Sequence, residues 1–515
     1  MSSTSASALR DASTGSAGDA SSPGHAGDAS AQPATSSGLR RTMESRHLVM
    51  IALGGVIGSG LFLSSGYTIG QAGPLGAVIA YGIGALVAYM VMTCLGELAL
   101  VYPVSGGFHV YASRELGPAW GFATAWLYWM CWAVALGSEF TACAMLMGRW
   151  FPGVDDWVWC LLFAILLFSL NAFSSRVFGE AEFWLSLIKV VAVISVIIIG
   201  LVAIGGFYLG SNPFGGAGSA GSDTAIGLAN FATDKGFFPA GIGGVLMTIL
   251  AVFYAFSGTE LIGVAAGETR DPGRAIPRAI RTAVLRLTIF FIGAIFVIAA
   301  ILPYDRAGVS KSTFVDTLDH LGISGAADIM NIVVITALLS AGNSGLFSCT
   351  RMLHSLASEG EAPAALARTT RRGIPMVALA VSMLGGLASL LTSVVAAETV
   401  FLALVSIAGF AVVAVWIAIV ASQLAMRRRL IRASQAGEPG VETLTYRSPL
   451  FPVLPIVALV ALFTSFIGAA FDSEQMHGLL FGVPFTLVCL AYYRLRYGAG
   501  VFRPTPRAES LPGRQ

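Results

Sequence analysis

Twelve stretches of this chain are apolar over enough consecutive residues to cross a bilayer, and no other feature restricts the fold as much. They fall at about 47–67, 75–100, 119–147, 157–174, 182–206, 243–265, 282–302, 325–350, 376–396, 399–425, 452–471 and 477–493. Hydrocarbon offers no water to backbone N–H and C=O groups, so a spanning segment must satisfy them itself as a helix or join a closed barrel. Barrel strands need only about 9–11 residues, so runs of this length read as helices. Composition agrees: 11% of residues are charged and 56% hydrophobic, against about 25% charged in a soluble globule. The expected fold is an all-α integral membrane protein with twelve transmembrane helices.

The arginines orient it. The tail and the even-numbered connections carry 25 Arg and Lys residues, whereas the opposite connections carry only Arg149, Lys235, Arg306 and Lys311. The positive-inside rule then puts both termini in the cytoplasm and makes this a multi-pass protein of the cytoplasmic membrane. Residues 1–40 are Ser, Ala, Gly, Asp and Thr with almost no large apolar side chain, which predicts a disordered cytoplasmic tail. The spanning domain occupies 41–496, and 497–515 form a C-terminal cytoplasmic tail. The Gly/Ser-rich connection at about 207–242 is a seam between two halves.

Several function classes find no support. A net charge of +2 points to no nucleic acid. The six cysteines are scattered through apolar runs, and no His, Cys or acid recurs at metal-ligand spacing, so neither a metal nor a cofactor is expected. No Gly-Lys-Ser/Thr loop is present for ATP, and no constellation of a membrane-embedded enzyme appears.

Within the first span, Gly54, Gly55, Gly58 and Gly60 put four glycines into seven residues. Each costs a helix about 1 kcal/mol relative to alanine. Broken backbone at membrane depth persists where it lines a cavity or is buried in protein. The plain alternative is close helix packing through small residues. A second interruption, Ser257-Gly258-Thr259, lies in the sixth span and is followed by Glu260. Interrupted segments at corresponding places in two halves mark a transporter site. Such breaks present half-helix N-termini to an anion and free carbonyls to a cation. An α-amino acid carries both groups a few ångströms apart.

The ordered motifs Arg41-Thr42-Met43, Arg46-His47-Leu48, Gly54 to Phe62, Leu95-Gly96-Glu97-Leu98, Phe256 to Gly263, Gly267-Glu268-Thr269 and Ser340 to Gly345 with Arg351-Met352-Leu353 have a familiar pattern. Over about residues 40–495 the chain resembles the amino-acid permeases of the amino acid–polyamine–organocation superfamily. Trp126 to Gly137, Trp157 to Cys160, Gly409 to Trp416 and Tyr446-Arg447-Ser448-Pro449 are most similar to S-methylmethionine permeases. The resemblance implies a five-plus-five inverted repeat (about 47–206 and 243–425), two extra helices (about 452–493) and alternating access around a midplane site. It implies that the substrate carboxylate meets N–H groups at Ser59 and Gly60 beside Gly58, with help from the Ser59 hydroxyl. The ammonium would meet carbonyls near Val56 and Ile57 and at Tyr254, Phe256 or Ser257, in the break that Gly258 and Thr259 complete. Phe256 or Tyr254 would close over the ligand.

Five charged residues lie within or at the ends of spans. Lys189, in the fifth span, is the candidate proton carrier, since the resemblance implies that a lysine of this helix takes the place where sodium-coupled relatives hold their ion; snorkelling to an interface is the rival reading. Glu139, in the third span, is a candidate partner for a cationic side chain, with Trp132 offering an aromatic face. A structural hydrogen bond between helices explains Glu139 equally well. Glu260 reads as an organiser of the break, with a proton role as the alternative. Glu97 and Glu268 read as cytoplasmic gate or docking groups, or as ordinary interface charges. Asn343 and Ser344 suit either the pathway or helix packing. The leading expectation is proton-coupled import of S-methylmethionine or a related cationic or neutral amino acid. A lysine or aromatic permease and a non-transporting sensor are the alternatives.

Overall fold

The computed structural model describes residues 55–102, 107–173, 178–208, 227–233, 235–261, 272–370 and 373–498. The tail 1–40, the motif residues from Arg41 to Gly54, Arg176, most of the 207–242 connection, Glu268 within 262–271, and everything after 498 lie outside them.

Helices make up nearly all the described structure. In chain order they are α1 (Ser59–Phe62), α2 (Ser64–Val101), α3 (Phe108–Glu115), α4 (Pro118–Met147), α5 (Asp156–Phe173), α6 (Phe178–Tyr208), α7 (Gly241–Ala255), α8 (Pro272–Ile301), α9 (Thr313–His320), α10 (Ser324–Ser358), α11 (Met376–Gly386), α12 (Ala397–Gln435), α13 (Val453–Ala469) and α14 (Met476–Tyr497). Among the described residues, eight helices are long and apolar enough to cross a membrane, and α5, α7 and α13 are shorter apolar helices. Among the described residues, helix falls within each of the twelve expected runs, but not one for one. The first two meet inside α2, which bends at Gly73. That residue has φ 76°, a conformation glycine adopts without strain. Pro74 follows it, and Pro239 packs where a Gly73 side chain would stand. The ninth run leaves α11 for a 3-10 stretch, Leu387–Ser393.

Two packing groups position the site. α4 lies against α10 and α12, and α2 against α7 and α8; short α1 touches both α4 and α7. Large apolar side chains point outward along α5 and α6, such as Ile165, Leu170, Val191 and Ile198. Exposed apolar faces of this extent suit hydrocarbon rather than water. Two polar clamps tie helix ends together. At one end Glu97 of α2 pairs with Arg427 of α12 and accepts from Gln423 Nε2 at 3.2 Å and the Ser448 N–H at 2.7 Å. At another, Arg149 after α4 donates through Nη1 to Asp319 and through Nε to Asp328, both at 2.6 Å. These hydrogen bonds hold the Arg149 guanidinium above its usual pKa, and so firmly charged.

Candidate functional site

The two glycine interruptions meet. An ideal Cβ on Gly60 would stand 2.6 Å from the Ala255 Cα, and one on Gly258 would stand 3.1 Å from the Gly55 carbonyl. Gly258 also has φ +96°, which side-chain-bearing residues avoid. So both breaks need glycine for approach, and the second needs it for conformation as well. The crossing brings the N-terminus of α1 close to the C-terminus of α7. A partial positive end and a partial negative end therefore sit side by side.

Beside this crossing lies a small cavity of about 20 Å³. The breaks contribute Gly55, Val56, Gly58, Gly60, Tyr254 and Ser257 to its lining. Trp132, Ala135, Leu136 and Glu139 line it from α4, and Ala341, Gly342 and Gly345 from α10.

Glu139 is buried and reaches α1 directly. Its carboxylate accepts the Ser59 N–H at 3.2 and 3.3 Å and the Ser59 hydroxyl at 2.9 Å. A carboxylate thus already holds the donors at Ser59 that the resemblance assigns to a substrate carboxylate. Tyr254 Oη stands 3.2 Å from Ser59 Oγ and 3.0 Å from Ser138 Oγ. Both serine protons are committed elsewhere, to Glu139 and to the Ala135 carbonyl, so the phenol donates to one of them. Ser138 is a member of this chain that residue type alone did not single out.

The other expected residues divide into two groups. Val56, Gly58, Gly60, Trp132, Glu139, Tyr254 and Ser257 surround the cavity. Ile57, Phe256, Gly258 and Thr259 do not line it. Phe256 turns away to pack on Phe291, with ring centroids 4.8 Å apart, and on Tyr81 at 6.3 Å. Thr259 Oγ1 donates to the Phe256 carbonyl at 3.0 Å. Glu260 accepts the Gly258 N–H at 3.0 Å with both oxygens and the Trp416 indole N–H at 3.4 Å, so it braces the sixth-span break. Lys189 is fully buried on α6. Asn343 accepts from Asn171 Nδ2 at 2.6 Å, a contact between helices. No cluster of three or more His, Cys, Asp or Glu that could hold a metal occurs among the described residues.

Comparison with known proteins adds independent findings. Residues 47–491 match the amino acid permease family. The chain is 48% identical over 457 residues to amino-acid permease RocC of Bacillus subtilis (strain 168), covering 89% of this chain and 94% of that one. It is 47% identical over 465 residues to a putative histidine permease of the same organism, covering 90% and 95%. It is 40% identical over 483 residues to the lysine-specific permease LysP of Escherichia coli (strain K12), covering 90% and 95%.

Proposed function

The chain belongs to the amino acid permease family, and we propose that it imports an amino acid with a cationic side chain, coupled to protons, by alternating access. It is a transporter and not an enzyme. The observation that carries the finer reading is the cavity at the crossed breaks, where a buried carboxylate, Glu139, and the Trp132 indole face the same space. The breaks read the backbone common to every amino acid: the Gly60 N–H, joined by the Ser59 N–H when Glu139 releases it, for the carboxylate, and carbonyls of Val56, Tyr254 and Ser257 for the ammonium. A fixed or protonated side-chain cation finds its partners in Glu139 and in an aromatic face. S-methylmethionine, favoured by the closer motif resemblance, and lysine are the substrates we place first. The name of one relative, a lysine-specific permease, favours a nitrogen cation.

Lys189 is our candidate coupling residue. A charge buried among spanning helices is costly and marks a functional candidate, and Lys189 is fully buried on α6. The brace that Glu260 forms favours its organising role over a proton role. The domain plan completes the reading: twelve crossings, two five-helix repeats of opposite orientation at about 47–206 and 243–425, two extra helices, and both termini in the cytoplasm.

The test is uptake into proteoliposomes under an imposed pH gradient, with S-methylmethionine, lysine, histidine, phenylalanine and 4-aminobutyrate as the panel. We expect accumulation of the cationic members, driven by an acidic exterior and abolished in Lys189→Met. Phenylalanine uptake without any cationic substrate would overturn the side-chain reading. Undiminished gradient-driven uptake by Lys189→Met would overturn the coupling assignment.

A further inference from the structure

We infer that the contact between Trp132 and Gly345 sets the length of side chain the site admits, an inference that rests on reading the cavity as an amino-acid site. Both residues line the cavity, Trp132 from α4 and Gly345 from α10. The six-membered ring of the indole occupies the space where a side chain at 345 would begin. An ideal Cβ there would stand 2.5 Å from Trp132 Cε3, 3.2 Å from Cζ3 and 3.5 Å from Cδ2. A carbon does not approach another at 2.5 Å without contact, so any residue larger than glycine must move the ring. An indole moves as one rigid plate, and Tyr128 packs edge-on against it with centroids 6.3 Å apart. Because Gly345 is part of the cavity wall in which the ring is seated, a ring pushed off α10 crosses the opening.

One turn earlier the wall is softer. A Cβ at Gly342 would meet the tip of Leu136 at 3.1 Å and Glu139 Cβ at an ordinary 3.7 Å, and a leucine tip can swing aside. Steric control is therefore tightest at 345. The backbone of a bound amino acid is fixed at the crossed breaks on α1 and α7, so its side chain runs toward the opposite wall of α4 and α10. Length is read there, whereas charge is read at Glu139.

Separating length from charge needs two substrates that share an ammonium side chain and differ in reach. Lysine and 2,4-diaminobutyrate meet that need. Uptake of each is measured in proteoliposomes for the parent protein, Gly345→Ala, Trp132→Phe and the double variant. Gly345→Ala should lower the lysine-to-diaminobutyrate ratio about tenfold or more, the scale at which a pocket discriminates one or two methylenes. Trp132→Phe should raise the ratio, and the double variant should return it toward the parent value. Equal effects of Gly345→Ala on both substrates, or a double variant that keeps the Gly345→Ala ratio, would overturn the inference. If the alanine variant does not reach the membrane, the Trp132→Phe ratio decides alone: an unchanged ratio overturns the inference. A parent protein that takes up neither of these substrates overturns the inference, and the cationic amino-acid reading falls with it only if S-methylmethionine is refused as well.

Discussion

At the scale of single residues, the site turns on what a glycine leaves out. Gly60 has Ala255 backbone at 2.6 Å from where its Cβ would be, and backbone cannot rotate aside as a side chain can. Gly60→Val must therefore force the two breaks apart, which disrupts the Ser59 donors and the cavity together. Transport should vanish while the protein still inserts, since the apolar runs that drive insertion are untouched. Uptake measured beside membrane-fraction yield checks this, and a valine variant transporting at half the parent rate would refute it. The glycines were legible from sequence because four in seven residues is a compositional anomaly. Glu139 was legible as a buried acid, but its hold on Ser59 was not, because the two lie 80 residues apart and no local pattern records such a contact. Phe256 failed to reach the cavity for a related reason. Residue type marks an aromatic at the break, but only the helix rotation decides that it packs on Phe291 and leaves the opening to Tyr254.

At the scale of elements, hydropathy located the helices well because a bilayer leaves the backbone no alternative. What it could not supply was how helices bend and lock. The bend at Gly73 joins two expected spans into α2, and the 3-10 stretch after α11 depends on packing rather than on local preference. The locks are tertiary too. Glu97 sits in a motif that suggested a gate or an interface charge, but its partners Arg427, Gln423 and Ser448 come from more than 300 residues away. All four of these groups are buried. Glu97→Gln would leave the Arg427 guanidinium without its counter-charge, a loss of about 3–5 kcal/mol when one member of a buried pair is removed. Glu97→Gln should melt well below the parent in detergent, and Glu97→Gln with Arg427→Gln should recover part of the loss because no lone charge remains. A single variant that melts within about 1 °C of the parent would show that the clamp contributes little.

At the scale of the whole molecule, the distribution of cations makes one claim that the fold can test. Most Arg and Lys residues fall in the tails and the even-numbered connections of the expected topology, including the run Arg427, Arg428 and Arg429 at the end of α12, and Arg149 is among the few in the odd-numbered ones. Arg149 does not argue against a positive interior, because its charge is matched locally by Asp319 and Asp328. It is a clamp rather than an orientation signal. The six native cysteines are all buried, so a membrane-impermeant maleimide should meet little native thiol, and an introduced cysteine reports its own side. Glu438 follows α12, Asp155 precedes α5, and both are exposed. Glu438→Cys should label only in inverted vesicles and Asp155→Cys only in right-side-out cells. The reverse pattern would place the arginine-rich face outside and overturn both the assigned orientation of the termini and the direction of import that rests on it. Labelling of both positions from one side would leave the orientation rule intact but break the helix count between them, because α5 to α12 must cross an odd number of times to separate these two sites.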